Sequence, residues 1–248
     1  MSHESAVQSQ FSTRVPVYDR RSAWIMDPGL LAAIVGACRA PASAELLDVC
    51  CGTGAVVGAF AGRVRRRVGF DLTAAMLDQA RPRADEVVQG DARALPFADG
   101  SFDVVVSRQA MHFFDDPSKP IREMVRVLRP GGQLILAQRV AWGEADTAFW
   151  TELNFLKQPN LRTFILDEHL VGGMNAAGIH DIVTSQYALW ESIDDWVASP
   201  EVPVENRRRI LEMCRNAPAE VRAIHPIDVG EDGVRCCWRW GIWAGTKG

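Results

Sequence analysis

The chain has 248 residues, of which 48% are hydrophobic and 23% charged, and its formal net charge is −4 at pH 7. This composition is typical of a globular protein with one sizeable core, and the acidic balance argues against nonspecific nucleic-acid binding. The six cysteines include no C-x-x-C pair of a zinc site. We therefore expect reduced thiols and no bound metal.

The beginning of the chain gives no sign of a targeting or membrane segment. Residues 1–10 are polar and lack the apolar centre of a signal peptide. No apolar run approaches the roughly 20 residues that span a bilayer. These features predict a cytoplasmic protein without membrane insertion.

Helical patterns dominate the first part of the chain, and a regular alternation follows them. A break at Asp27-Pro28-Gly29 precedes a helix predicted over residues 30–38. Residues 46–140 alternate short apolar runs with helix-like segments, which predicts right-handed βαβ units and a parallel sheet covered by helices. We predict a single domain with a helical cap at 1–40, a core at 41–140 and substrate-side segments at 141–248.

The segment from Leu46 to Gly54 combines an apolar run, an acid and a glycine-rich turn. It predicts a buried strand, a tight turn and a helix start, where Gly52 and Gly54 let the backbone approach a ligand closely. Dinucleotide-binding folds use a similar turn, but their third glycine would stand where this chain has Val57. A dinucleotide site is therefore disfavoured.

Three further segments follow this turn in order. Asp71 ends a second strand, Asp91 follows a third, and a fourth strand at 101–107 precedes a turn into a fifth at 128–136. The four motifs together closely resemble those of the class I S-adenosylmethionine-dependent methyltransferases, in the branch of the quinone-biosynthesis C-methyltransferases. The resemblance covers roughly residues 45–140. It implies a methyltransferase whose cofactor is S-adenosylmethionine.

The resemblance also implies a fold. We expect an α/β protein with a seven-stranded, mostly parallel Rossmann-like sheet, helices on both faces and an antiparallel last strand. The sixth strand is predicted at 182–189 and the seventh at 234–244. The insertion between them, at about 191–233, contains a predicted helix at 205–216. We interpret this insertion as part of the substrate cover, because insertions of such length in compact domains are usually functional.

Position by position, the resemblance assigns residues to the cofactor. Gly52 and Gly54 would contact its methionine end and ribose through the backbone, and Asp71 would hold both ribose hydroxyls, since a carboxylate accepts two hydrogen bonds. Asp91 would accept from the adenine amine. Asp48 would orient the glycine turn or, alternatively, only cap it. The remaining implied residues are Cys50, Leu72, Met76, Ala92, Ser107, Arg108 and Arg21; Leu72 and Met76 are equally well explained as core.

Two residues are candidates for a catalytic role. His112 follows the fourth strand, where an imidazole would deprotonate or orient the acceptor. The alternative for His112 is a packing histidine. Tyr18 lies in a segment that resembles the tyrosine-aspartate cap over the cofactor in the quinone branch, and its alternative is the core edge of an amphipathic helix.

Aromatic residues indicate the nature of the acceptor. Trp142, Phe149 and Phe113 are expected to line an acceptor pocket, while Trp238 and Trp240 are expected in the core. The sequence thus predicts in-line methyl transfer to a small, apolar or aromatic acceptor, a small-molecule partner.

Other functions stay open at this level. The motifs specify cofactor binding and not a reaction, so an S-adenosylmethionine-binding accessory or non-methylating protein fits them too. A methyltransferase acting on protein or RNA is a further alternative. The acidic balance and the lack of an Asn-Pro-Pro-Tyr signature after the fourth strand count against it. A homodimer is compatible with the sequence.

Overall fold

A computed structural model describes residues 2–15, 18–141, 143–158, 160–162, 167–199 and 202–248 of the protein. Its centre is an eight-stranded sheet. The strands are β1 Glu45–Val49, β2 Arg66–Asp71, β3 Glu86–Gln89, β4 Phe102–Arg108, β5 Leu128–Arg139, β6 Ile179–Ser192, β7 Ile227–Gly230 and β8 Gly233–Lys247.

The strand order confirms the predicted Rossmann-like sheet. Along the sheet the strands run β3-β2-β1-β4-β5-β8-β6, and β7 pairs with β8 off this path. Strands β1 to β5 are parallel to one another, while β8 is antiparallel to β5, β6 and β7. The eighth strand is β7, a four-residue strand inside the insertion that sequence patterning did not predict.

Twelve α-helices surround the sheet in the described part of the chain, together with short 3-10 helices at Arg81–Arg83 and Met111–Phe113. They are α1 His3–Arg14, α2 Tyr18–Arg21, α3 Ala23–Met26, α4 Pro28–Gly36, α5 Ala55–Ala59, α6 Ala74–Ala80, α7 Ser118–Val127, α8 Glu144–Lys157, α9 Asp167–Ala176, α10 Ile193–Val197, α11 Val204–Arg215 and α12 Ala219–Ile224. None of the described helices is long and apolar enough to cross a membrane.

Both faces of the central strands β1, β4 and β5 are buried, as their continuous apolar runs require, whereas the edge strands β3 and β6 are largely exposed or half-buried. Successive residues of β1 show this directly, because Leu46 packs into one hydrophobic cluster and Leu47 into the other. The predicted break at Asp27 begins α4, where the Asp27 carboxylate accepts a 2.7 Å hydrogen bond from the Leu30 amide and Pro28 occupies the first turn.

The insertion before β8 packs against both α8 and the sheet. Its helices α11 and α12 pack against α8, and α10 packs against β8. This arrangement places α8 and the insertion together over the carboxyl end of the sheet's central strands.

Candidate active site

A cavity with about 890 Å³ of open space lies at the carboxyl ends of β1, β2, β3 and β4. Ligands of open parallel α/β sheets bind in this crevice, where the loops of neighbouring strands converge. The structure brings most of the predicted cofactor residues together here. Those that line the cavity are Cys50, Gly52, Asp71, Leu72, Met76, Asp91, Ala92 and Arg108, and the catalytic candidate Tyr18 and the predicted acceptor-pocket residue Phe113 line it too.

The turn after β1 is held in a left-handed backbone conformation. Cys50, Gly52 and Gly54 have φ values of 60°, 54° and 83°. Gly52 lines the cavity. A Cβ atom on Gly54 would lie 2.9 Å from the Cβ of Ala80, so this glycine is needed for the close approach of α5 and α6. Gly54 is not among the cavity-lining residues.

The carboxylate of Asp71 is positioned by backbone amides. One oxygen accepts from the Gly52 amide at 2.8 Å, and the other accepts from the Thr73 amide at 2.9 Å. Burial raises the pKa of Asp71, and these amide hydrogen bonds act in the opposite direction. The residue therefore ties the β1 turn to the end of β2 while lining the cavity.

Asp48 lies behind the turn and not in the cavity wall. It is 1% exposed, and its Oδ2 atom accepts a 2.9 Å hydrogen bond from the Val57 amide in the first turn of α5. Burial raises the pKa of this carboxyl to about 7. This contact caps the first turn of α5, directly after the glycine turn, and the orienting role of Asp48 stays a prediction.

Asp91 is part of an ion-pair network at the cavity rim. Arg93 lies 2.5 Å from Asp91 and 2.6 Å from Glu4 of α1. The hydrogen bonds from Arg93 hold the pKa of the Asp91 carboxyl below its usual value. The network thereby connects α1 to the loop after β3.

The side chains of the two residues at the end of β4 donate hydrogen bonds to backbone carbonyls of other segments. The Ser107 hydroxyl donates to the Val49 carbonyl at 2.7 Å. Arg108 donates to the carbonyls of Trp24 and Ile25 at 3.2 and 3.1 Å and lies 4.9 Å from the Trp24 ring. Arg108 also lines the cavity, whereas Ser107 does not.

A second cavity, with about 1060 Å³ of open space, adjoins the first. The two cavities share four lining residues, which are Phe11, Tyr18, Gln109 and Phe113. Tyr18 thus stands at the junction, where burial raises its pKa to about 12. The side chain of its predicted neighbour Arg21 lies outside the described part of the chain.

His112 lines the second cavity and is 8% exposed. Its Nδ1 atom lies 2.7 Å from the side-chain nitrogen of Gln138. Burial, aided by the charge of Arg139, lowers the pKa of His112 to about 3. The imidazole is therefore neutral at physiological pH.

The aromatic wall differs in part from the predicted one. Trp142 lies outside the described residues. Phe149 packs edge-on against Trp150, with ring centroids 5.0 Å apart, and it is Trp150 that lines the cavity. Trp240 is fully buried in the core as predicted, while Trp238 belongs to the core and also lines the cavity.

Sequence reasoning missed several residues of this wall. Gln109 has a φ of 54°, and its side chain accepts from the Arg139 amide at 2.8 Å. The Arg139 guanidinium lies among the rings of four tryptophans, at 4.4 Å from Trp238. The other three are Trp24, Trp196 and Trp240, at 5.6 to 6.0 Å. No local pattern signals these contacts, because they join distant segments.

Known proteins resemble the chain in sequence and in fold. Residues 47–136 match the family model described as a methyltransferase domain. The uncharacterized methyltransferase YcgJ of Bacillus subtilis is 30% identical over 199 residues, which cover 76% of this chain and 78% of that protein. The crystal structure of YcgJ has a TM-score of 0.79 at 24% identity and covers 88% of this chain and 97% of its own.

Two further relatives extend the comparison. A demethylmenaquinone methyltransferase of Deinococcus radiodurans is 34% identical over 148 residues, or 54% of this chain and 60% of that protein. A Haemonchus contortus phosphoethanolamine N-methyltransferase 2, in complex with S-adenosyl-L-methionine, shares the fold with a TM-score of 0.65 at 18% identity. That match covers 100% of this chain and 60% of the other.

The chain belongs to the S-adenosylmethionine-dependent methyltransferases, an assignment that fold, motifs and relatives support together. Its cofactor is S-adenosylmethionine. The first cavity fits this group, since it is lined by the Gly52 backbone, the Asp71 carboxylate and the apolar side chains of Leu72 and Met76 at neighbouring strand ends.

Proposed function

We propose that the protein transfers a methyl group to a small, apolar or aromatic acceptor by in-line displacement. The observation that carries this proposal is the second cavity, which shares Phe11, Tyr18, Gln109 and Phe113 with the first. An in-line displacement needs donor and acceptor on opposite sides of the methyl group. Aligning them is worth roughly 7–11 kcal/mol.

The proposed cofactor contacts follow from the geometry of the first cavity. Each Asp71 oxygen accepts one backbone amide and retains a lone pair, so the carboxylate is suited to the two ribose hydroxyls. The Gly52 backbone would contact the methionine end. Asp91 and the Ala92 amide would meet the adenine, with Leu72 and Met76 against its faces. When bound, S-adenosylmethionine supplies a methyl group on a positively charged sulfur.

His112 is proposed to orient the acceptor and not to deprotonate it. An imidazole whose pKa lies near 3 is a weak base at neutral pH. The Gln138 amide donates to Nδ1, so the Nε2 atom carries the proton and is a hydrogen-bond donor. Unchanged turnover in a His112→Ala variant would remove the residue from this role.

The acceptor class rests on the cavity wall and on the relatives. Phe11, Phe113, Trp150, Trp196 and Trp238 line the cavity, and such surfaces bind rings and apolar chains. The Deinococcus relative is named for a quinone, demethylmenaquinone, which is an acceptor of this kind.

The decisive test is transfer of label from methyl-labelled S-adenosylmethionine to fractions of the source cell's extract. We expect label in one small molecule, identified by mass spectrometry. Label confined to protein or RNA would contradict the proposed acceptor class. Cofactor binding with no labelled product would favour a non-methylating protein.

A further inference from the structure

A buried acid–histidine pair lies in the wall of the second cavity, apart from the residues assigned above. Asp146 of α8 is 0% exposed, and His225, which follows α12, is 2% exposed. The Asp146 Oδ2 atom and the His225 Nδ1 atom are 2.9 Å apart. The other Asp146 oxygen accepts from the Gly143 amide at 3.0 Å, which fixes the carboxylate in place.

The proton of the imidazole is assigned by its neighbours. The Trp150 indole N–H also points at Nδ1 of His225 from 2.9 Å, and to donate there it needs a lone pair on that atom. A hydrogen bond to a carboxylate is about twice as strong as one between neutral groups. We therefore assign the proton to Nδ1, which donates it to Asp146; the Trp150 N–H then has no acceptor at this atom, and Nε2 keeps its lone pair.

His225 lines the second cavity, and its Nε2 atom makes no hydrogen bond to another described residue. Its ring packs against Trp150 and Trp238, with centroids 5.1 and 6.3 Å away. His225 lines the second cavity and not the first, where the cofactor is proposed to bind. His225 therefore stands where the part of an acceptor remote from the methyl group would lie.

The charges around the cavity select the kind of group that His225 can meet. Arg14, Arg139 and Lys157 line the same wall as the Asp195 carboxylate, Arg139 pairs with Glu191 at 3.5 Å, and Asp146 contacts His225. A neutral hydroxyl brings no further charge into this wall, whereas an ionised group would. A hydroxyl also donates the hydrogen bond that the Nε2 lone pair accepts.

We infer that His225, held by Asp146, is a subsite that accepts a hydrogen bond from a phenolic or enolic hydroxyl on a ring-bearing acceptor. This inference rests on the proposed function and narrows its substrate class. It also gives the insertion before β8 a role in substrate binding, since His225 belongs to the insertion and lines the cavity. If the pair were purely structural, it would connect α8 to the segment after α12 and would not affect ligand binding.

The test is calorimetric titration of the protein, saturated with S-adenosylhomocysteine, with 1-naphthol and with 1-methoxynaphthalene. These probes share a ring system, and only the first has a hydroxyl to donate. We expect the wild type to bind 1-naphthol about tenfold more tightly, which corresponds to about 1.4 kcal/mol. His225→Phe should bind both probes equally, with its affinity for 1-methoxynaphthalene unchanged.

Two companion variants separate a ligand role from a structural one. Asp146→Asn should reduce the preference for 1-naphthol, because an amide no longer fixes the Nδ1 proton by charge. His180→Phe replaces an exposed histidine of β6 and should retain the full preference. Loss of thermal stability alone, with the preference intact in His225→Phe, would show a structural pair and overturn the inference.

Further measurements on the wild-type protein test the inference even if the His225 variant does not fold. Equal affinity of the wild type for both probes, or no binding of 1-naphthol up to its solubility limit, overturns the subsite. Nitrogen-15 NMR of the wild-type imidazole should show the proton on Nδ1, and a proton on Nε2 overturns the assignment. Probe binding needs no methyl transfer, so a protein that prefers 1-naphthol yet labels no product keeps the subsite and fails the proposed function.

Discussion

Burial sets the charge of individual side chains around the two cavities. It raises the pKa of Asp48 to about 7 and that of Tyr18 to about 12, and it lowers that of His112 to about 3. In each case water is excluded from the ionised form, which becomes the costlier one. At neutral pH the shifts matter for Asp48, which is partly protonated, and for His112, which is neutral, whereas Tyr18 is neutral at either pKa.

The raised pKa of Asp48 makes the stability of the protein depend on pH. Its folded-state pKa of about 7 exceeds its ordinary value of 3.8, so the folded protein binds more protons than the unfolded chain between these pH values. The free energy of unfolding should then fall as pH rises through this window, by about 1.4 kcal/mol per unit of pKa difference at most. Asp48→Asn removes the titration and retains an oxygen for the Val57 amide.

Denaturant unfolding of both proteins at several pH values between about 4 and 7 checks this expectation. The Asn variant should gain stability relative to the wild type as pH rises. Parallel stability curves for the two proteins would contradict the raised pKa.

Asp71→Asn tests the carboxylate at the end of β2. Both oxygens accept backbone amides, from Gly52 and Thr73, so an amide nitrogen in either place would face a donor. We expect the dissociation constant of S-adenosylhomocysteine, measured by calorimetry, to rise about tenfold to a hundredfold, or about 1.4 to 2.8 kcal/mol. Asp78→Asn, on the exposed face of α6, is the control. Unchanged affinity in the Asp71 variant would remove this residue from the cofactor site.

At the scale of elements, α1 covers the cofactor cavity but is held mainly by polar contacts. His3 contacts the Phe113 carbonyl at 2.8 Å, Gln8 donates to the Leu72 carbonyl at 2.9 Å, and Glu4 pairs with Arg93. Arg14 is the only buried residue in the helix. An element with so little buried apolar surface belongs to the low-stability end of a fold.

We therefore expect the amides of α1 to exchange with deuterium faster than those of the sheet, and to slow when S-adenosylhomocysteine binds. Arg93→Ala should raise α1 exchange, because it removes the link between Glu4 and Asp91. The amides of α7, which does not line the cavity, provide the internal control. Protection of α1 that is the same with and without ligand would show that the helix does not respond to the cofactor.

The elements that form the wall of the second cavity differ from α1. Helix α8 and the insertion pack on each other and contribute large aromatic side chains to the second cavity. Their positions are set by contacts among residues far apart in the chain, such as the one between Trp150 and His225. Under the proposed function, substrate specificity would depend on these elements outside the motif-bearing core.

At the scale of the whole molecule, β8 organises half of the sheet because it pairs with β5, β6 and β7. Its packing leaves little room at Gly241, where an added Cβ atom would lie 2.0 Å from the Trp243 ring. The Trp243 ring is itself fully buried. Tolerance to substitution is therefore low in this strand.

Gly241→Ala should destabilise the protein by about 1–3 kcal/mol, since overpacking a tight site forces side chains from their rotamers. Gly172→Ala in α9 is the matched control, because no atom lies within 4 Å of its added Cβ. That change should stabilise the protein by about 0.4–1 kcal/mol through the helix preference of alanine. Equal free energies of unfolding for the two variants would contradict this packing of β8.

The sequence by itself determined the cofactor half of the protein. Gly52, Asp71 and Asp91 follow successive parallel strands, and the carboxyl ends of such strands meet at one edge of a sheet. Local patterns were therefore enough to bring these residues into one cavity, and to predict the strands that carry them. Their individual contacts with the cofactor stay predictions.

Only the tertiary structure decided the wall of the second cavity, which is the proposed acceptor site. It showed the additional strand β7, the wall position of Trp150, and the pairing of Asp146 with His225. Periodicity indicates which face of an element is buried but not which distant surface covers it. The acceptor wall is built from such distant contacts, so its chemistry became visible only when α8 and the insertion were placed together.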